Sequence, residues 1–99
     1  MNMQKLMMEA QKMQAKLQKE QVELENSTYE GTSSLVTVLI NGKKEVKNIK
    51  INIEEDITKD DVEMLEDMLM VAMNDAVKKA DADKENRLGK YSQGLSGLM

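Results

Sequence analysis

The chain has 99 residues, 14 basic against 18 acidic side chains for a formal charge of −4, ten Met, two Tyr, and no Cys, His, Trp, Phe or Pro. A chain this short makes one small domain that buries only about two-thirds of its unfolded surface, so association between copies is the available way to add core. Absence of Cys and His removes disulfides, thiolate zinc sites, thiol nucleophiles, imidazole bases and imidazole metal ligands.

The first 25 residues are polar and charged throughout, with no apolar leader-like run, and no later stretch is long enough to span a bilayer. A cytoplasmic chain is expected. Residues 2–25 are rich in Gln, Lys, Glu, Met and Leu, a strong helix composition. Met3, Leu6, Ala10, Met13, Leu17 and Leu24 recur at alternating spacings of three and four, the a and d positions of a heptad. Glu20 is the one d position that breaks this seam. The spacing predicts a helical arm over 1–25, about 36 Å long.

Asn26-Ser27-Thr28 ends the pattern, and a sheet is expected over 28–53. A short strand near Thr28–Thr32 turns back through Thr32-Ser33-Ser34, and Leu35–Ile40 and Val46–Ile53 form a hairpin around Asn41-Gly42. In the last strand Ile49, Ile51 and Ile53 alternate, but Val46 has the opposite parity. A bulge near Lys47-Asn48 brings Val46, Ile49 and Ile51 onto one buried face; regular alternation leaves Val46 exposed.

Thr58 reads as an N-cap with Asp61 three residues on, opening a helix over 58–85. Val62, Leu65, Leu69, Ala72, Ala76 and Ala80 make one apolar face; Met64, Met68 and Val71 make a second. A helix apolar on two sides needs two partners, its own sheet and a second copy of the chain. Residues 86–99, with Gly89, Gly94 and Gly97, read as a flexible tail. The whole is a single α+β domain over 1–99 in the order α-β-β-β-α.

Chemistry-bearing patterns are few. Lys5, Lys12 and Lys19 share heptad position c, Lys16 lies at g, and Gln4, Gln11 and Gln18 share b. This face reads either as an ordinary solvated surface or as a row that follows a phosphate backbone, with Gln able to reach base edges. Lys78, Lys79, Lys84, Arg87 and Lys90 make the end of the second helix basic. Residues 60–75 hold six acids and no base, which complements a helix N-terminus better than it suits a metal. The run from Asp81 fails as a calcium loop, with Asn86 at the sixth position and Ser92 at the twelfth. No nucleophile elbow or phosphate-cradling Gly loop is present, so an enzyme is not expected.

The segments MQKLMMEAQKMQAKLQKEQVELE, YEGTSSLVTVLINGKKEVKNIKIN and DVEMLEDMLMVAMNDAVKKAD, with the tail GLSGLM, together resemble the YbaB/EbfC nucleoid-associated proteins. Relative to that pattern the turn before Leu35 is short, the tail lacks proline and the net charge is acidic. The resemblance implies a bacterial, non-enzymatic homodimer that binds double-stranded DNA at the nucleoid without a cofactor. On that reading Lys5, Lys12, Lys16, Lys19, Gln11, Gln18, Lys78, Lys79 and Arg87 are the candidate DNA contacts, and Met64, Met68 and Val71 the candidate dimer contacts. The alternative is a dimeric protein-interaction module that uses the arm or the Met-rich face.

Overall fold

The computed structural model describes residues 2–96, with side-chain surroundings as far as Tyr91. It runs α1 (Met3–Asn26), β1 (Thr28–Ser33), β2 (Val36–Asn41), β3 (Val46–Ile51), a single 3-10 turn (Lys59–Asp61) and α2 (Val62–Ser96). The strands form one antiparallel sheet in the order β1-β2-β3. This is the α-β-β-β-α order expected from the sequence.

Local chemistry sets the element ends. Asn2 Oδ1 accepts from Gln4 N at 3.1 Å and caps α1. Ser34 and Leu35 make the first turn, and Ser34 adopts φ 47°. The second turn is longer than a two-residue Asn-Gly hairpin. Asn41, itself buried, accepts on Oδ1 from the backbone of Lys43 and Glu45 at 2.9 and 3.0 Å, and donates from Nδ2 to Glu45. The left-handed residue is Lys44, at φ 65°, rather than Gly42. Gly42 is needed for space instead: a Cβ there would lie 2.5 Å from Leu24 C and 3.0 Å from Glu25 Cα. Thr58 N donates to Asp61 Oδ2 at 2.9 Å, as the capping reading requires.

The expected irregularity in β3 is present. Ile49 pairs with Val38 and Asn48 with Leu39, but Val46 pairs with Ile40, so Lys47 is the extra residue. Val46, Ile49 and Ile51 therefore share the face of Val36, Val38 and Ile40. That face is not buried throughout, as the sequence led us to expect. The three β2 residues are fully buried, whereas Val46, Ile49 and Ile51 are 44, 44 and 42% exposed. The reason is the placement of α2, which packs on β1 and β2 and, among the described residues, not on β3.

Small residues draw α2 onto the sheet. Ala72, Ala76 and Ala80 are buried with Val36, Val38 and Ile40, and Leu65 and Leu69 are half-buried. A Cβ on Gly31 would clash with Ala72 O and lie 2.5 Å from Ala76 N, so β1 touches the helix backbone. Polar contacts complete the seam. Asp75 Oδ2 accepts from Thr32 N at 3.2 Å, Lys79 Nζ donates to Glu30 O at 2.8 Å, and Tyr29 Oη donates to Asp83 Oδ2 at 2.6 Å. Val62, in contrast, is 46% exposed and does not join the buried face. In the second apolar stripe, Met64 and Val71 are exposed, but Met68 packs against the core.

Helix α2 does not stop near residue 85. It continues through Gly89 and Gly94 to Ser96, so the expected tail over 86–99 is helical as far as it is described; Gly97 and the two residues after it lie outside the described residues. An internal Gly costs a helix about 1 kcal/mol relative to Ala. Here the penalty is offset because α1 packs along this extension, where Tyr91 is buried and Leu88 half-buried. The predicted seam stays largely exposed in the first half of α1: Met3, Leu6 and Met13 are 73, 48 and 41% exposed. The molecule is elongated, 72 × 22 × 14 Å.

Two expectations follow for stability. Gly31→Val forces a branched side chain into the helix backbone and should cost about 3 kcal/mol in denaturant unfolding, at the upper end for overpacking. The second concerns acid. The Tyr29 hydroxyl, and after it Arg87, hold the Asp83 carboxyl below its ordinary range; the Thr32 amide, and after it Lys79, do the same for Asp75. A carboxyl depressed in the folded state adds stability that is complete above its unfolded pKa, about 3.9, and is lost as pH falls through the folded value. Unfolding followed from about pH 5 to about pH 2 should show this loss, and Asp83→Asn should flatten it.

Candidate nucleic-acid interface

The lysine row predicted on α1 is presented to solvent. Lys5, Lys12, Lys16 and Lys19 are all exposed, as are Gln11 and Gln18. None of these lysines forms an ion pair among the described residues. The helix itself is formally neutral, with four Lys and four Glu between Met3 and Asn26. Its charge is nonetheless divided: Glu20 and Glu23 turn toward α2, where Arg87 Nη1 reaches their carboxylates at 3.4 and 3.3 Å. Glu20 breaks the heptad seam because this position faces a guanidinium rather than an apolar side chain.

The extended α2 supplies a lysine to the same region. Lys12, Lys16 and Lys90 line one shallow groove between the helices, together with Glu9, Met13 and Tyr91. Lys90 Nζ sits 5.1 Å from the centre of the Tyr91 ring, a cation–π distance. Arg87 lies by Glu20 and Glu23, whereas Lys90 and Tyr91 share a groove with residues within 9–16, so the two helices run antiparallel. A cationic groove flanked by an aromatic ring suits a polyanion whose charges repeat along a line.

Other predicted contacts are differently placed. Lys78 is exposed on α2. Lys79 is engaged with Glu30 O and with Asp75, 3.3 Å away, on the body. Arg87 is engaged most heavily: besides Glu20 and Glu23, its Nε donates to Asp83 Oδ2 at 3.0 Å. The structure therefore brings Lys12, Lys16 and Lys90 together, and separates Lys79 and Arg87 from them. The sequence reading gave no role to Tyr29, Asp83, Glu23 or Tyr91; only Glu20, as a charge in an apolar seam, carried a visible signal. The acids once compared with a calcium loop are used elsewhere, Asp81 with Lys44 at 2.8 Å and Asp83 with Tyr29 and Arg87. Among the described residues no cluster of acidic side chains is arranged to hold a metal, and no helix is long and apolar enough to cross a membrane.

Known proteins match this chain over nearly its whole length. A protein of Chloroflexus aurantiacus named nucleoid-associated protein is 46% identical over 100 residues, covering 99% of both chains. One of Clostridium botulinum, named nucleoid-associated protein CLL_A3446, is 47% identical over 98 residues, 97% of this chain and 86% of that one. One of Ruminiclostridium cellulolyticum, also named nucleoid-associated protein, is 42% identical over 99 residues, 98% and 85% of the two chains. The fold is similar to a crystal structure of HP0035 from Helicobacter pylori, with a TM-score of 0.64 and 24% identity, over 96% of this chain and 98% of that one. The YbaB/EbfC DNA-binding family matches residues 1–95, and with these relatives it shows that the chain is a member of that family of nucleoid-associated proteins.

Proposed function

We propose that the protein is a non-enzymatic nucleoid component that binds double-stranded DNA as a homodimer, chiefly through phosphates. The observation that carries this reading is the division of charge on the arm. Glu20 and Glu23 are turned to Arg87, while Lys5, Lys12, Lys16 and Lys19, with no ion pair among the described residues, stand on an exposed face that Lys90 joins. Membership of a DNA-binding family supports it independently. Lys78 extends the basic surface along α2, and Gln11 and Gln18 are available for sugars or base edges. Arg87 and Lys79, held by intrachain acids, are not assigned to DNA.

Dimerisation is proposed from exposed apolar surface. Val46, Ile49, Ile51 and Ile53 on the β3 side, and Met64 and Val71 on α2, are all 42% exposed or more. Apolar surface of this extent is unusual on a soluble monomer. Met68, which packs on the core, is at most a secondary contact.

A protein-partner reading draws on the exposed arm tip, with Met3, Leu6, Met7 and Met8. A duplex titration at two salt concentrations separates the two readings. The expected result is modest binding that weakens steeply with salt; binding absent at low salt favours the protein partner. Replacing Lys5, Lys12 and Lys19 together by Gln leaves helix propensity nearly unchanged. The variant should fold and associate normally, with lower affinity and a salt slope reduced by about 0.9 for each phosphate it no longer neutralises.

Ile49→Asp tests the dimer. At an exposed site of a monomer such a change shifts stability by no more than about 0.5 kcal/mol. In the proposed interface it buries an unpaired charge, so sedimentation at micromolar concentration should show dissociation to monomers. A wild-type protein that sediments as a monomer under the same conditions would overturn the proposal.

A further inference from the structure

Arg87 stands where α1 lies against the second half of α2. Its side chain is 31% exposed and divides between three carboxylates: Asp83 on its own helix and Glu20 and Glu23 on α1, at 3.0, 3.4 and 3.3 Å. Asp83 is fixed in turn by the Tyr29 hydroxyl of β1 at 2.6 Å. The network thus links sheet, α2 and α1 in sequence. Leu24, the one buried residue of α1, lies at the end where that helix joins the body. Arg87 is the ion-paired link between the helices further out.

We propose that Tyr29, Asp83 and Arg87, closed on Glu20 and Glu23, are positioning residues for DNA binding. They hold α1 beside α2 so that Lys12 and Lys16 of one helix and Lys90 of the other meet the same phosphate backbone, and they touch no DNA themselves. This rests on the DNA-binding reading above. The charges facing Arg87 support it: three acids surround one guanidinium, a setting that repels a phosphate. The planar fork of Arg is suited to bridging several carboxylates at fixed angles, which a Lys ammonium is not.

The two roles open to Arg87 differ in a measurable way. A residue that contacts phosphate releases counterions on binding, so its removal lowers both affinity and salt slope. A residue that preorganises the arm leaves the bound contacts unchanged. Its removal adds an ordering cost, which lowers affinity and leaves the slope alone.

The experiment compares the full chain with Arg87→Lys, Arg87→Gln and Tyr29→Phe, at a temperature where all are folded, by duplex DNA titration over a range of salt. Tyr29→Phe removes one hydroxyl and no charge, so it remains informative if the Arg87 variants fold poorly. We expect all three to bind about three- to tenfold more weakly, as an added ordering cost of this kind predicts, with unchanged slopes. We also expect faster amide exchange in residues 9–20 of α1 without DNA. If Arg87→Lys binds like the wild type while Arg87→Gln binds more weakly with a slope lower by about 0.9 per phosphate, Arg87 is a phosphate ligand and the proposal is wrong. If affinities are unchanged and only melting temperatures fall, the network is merely structural and the proposal is again wrong. Should the wild type not bind duplex DNA at low salt, the DNA reading itself fails. Unchanged amide exchange in α1 of the variants would then overturn the clamp on its own.

Discussion

The contact between Gly31 and the backbone of α2 at Ala72 and Ala76 governs much of what surrounds it. Only at this distance do side chains of the helix reach the main chain of the strand, as Asp75 does to Thr32 N and Lys79 to Glu30 O. The same closeness centres α2 over β1 and β2, which leaves the β3 apolar residues uncovered by that helix among the described residues. The alanine stripe anchors the helix with Met68, Leu69, Met73 and Val77 packed around it, and α2 runs on past the sheet to make a ledge for α1. The exposed β3 face and the paired-helix arm are in this sense two results of one close approach.

Net acidity and a proposed polyanionic partner are compatible because the charges are separated. Glu54, Glu55, Asp56, Asp60, Asp61, Glu63, Glu66 and Asp67 gather in the loop after β3 and the first turns of α2. From Asp67 to Lys90 the helix advances about 34 Å. The Debye length at physiological ionic strength is about 8 Å, so the acidic end contributes little field at the lysine groove. A net charge summed over the chain conceals this arrangement. Acids near the arm matter far more, and two of those, Glu20 and Glu23, are matched to Arg87.

Much of the architecture was legible in the sequence because it rests on local patterns. Heptad spacing gave α1, the parity conflict at Val46 gave the bulge at Lys47, and Thr58 with Asp61 gave the start of the second helix. What was not legible depends on distant partners. Gly89 and Gly94 looked like the beginning of a loose tail, and nothing nearby in the chain reveals that α1 packs along that segment. Burial of the β3 isoleucines was expected from alternation, but alternation reports a shared face and not what covers it. The candidate site divided in the same manner. The α1 lysines lie on the exposed face their spacing predicted. Lys79 and Arg87 looked like free cations until partners arrived from elements 49 and 67 residues away in the chain.

The placement of the two tyrosines has a spectroscopic consequence. With no Trp and no Phe in the chain, near-ultraviolet absorption and intrinsic fluorescence come from Tyr29 and Tyr91 alone. One donates a hydrogen bond to a carboxylate beside the sheet; the other lies buried along the paired helices, under an ammonium. The chain thus carries an optical reporter in its body and another in its arm, and replacing either by Phe isolates the signal of the other without an extrinsic dye.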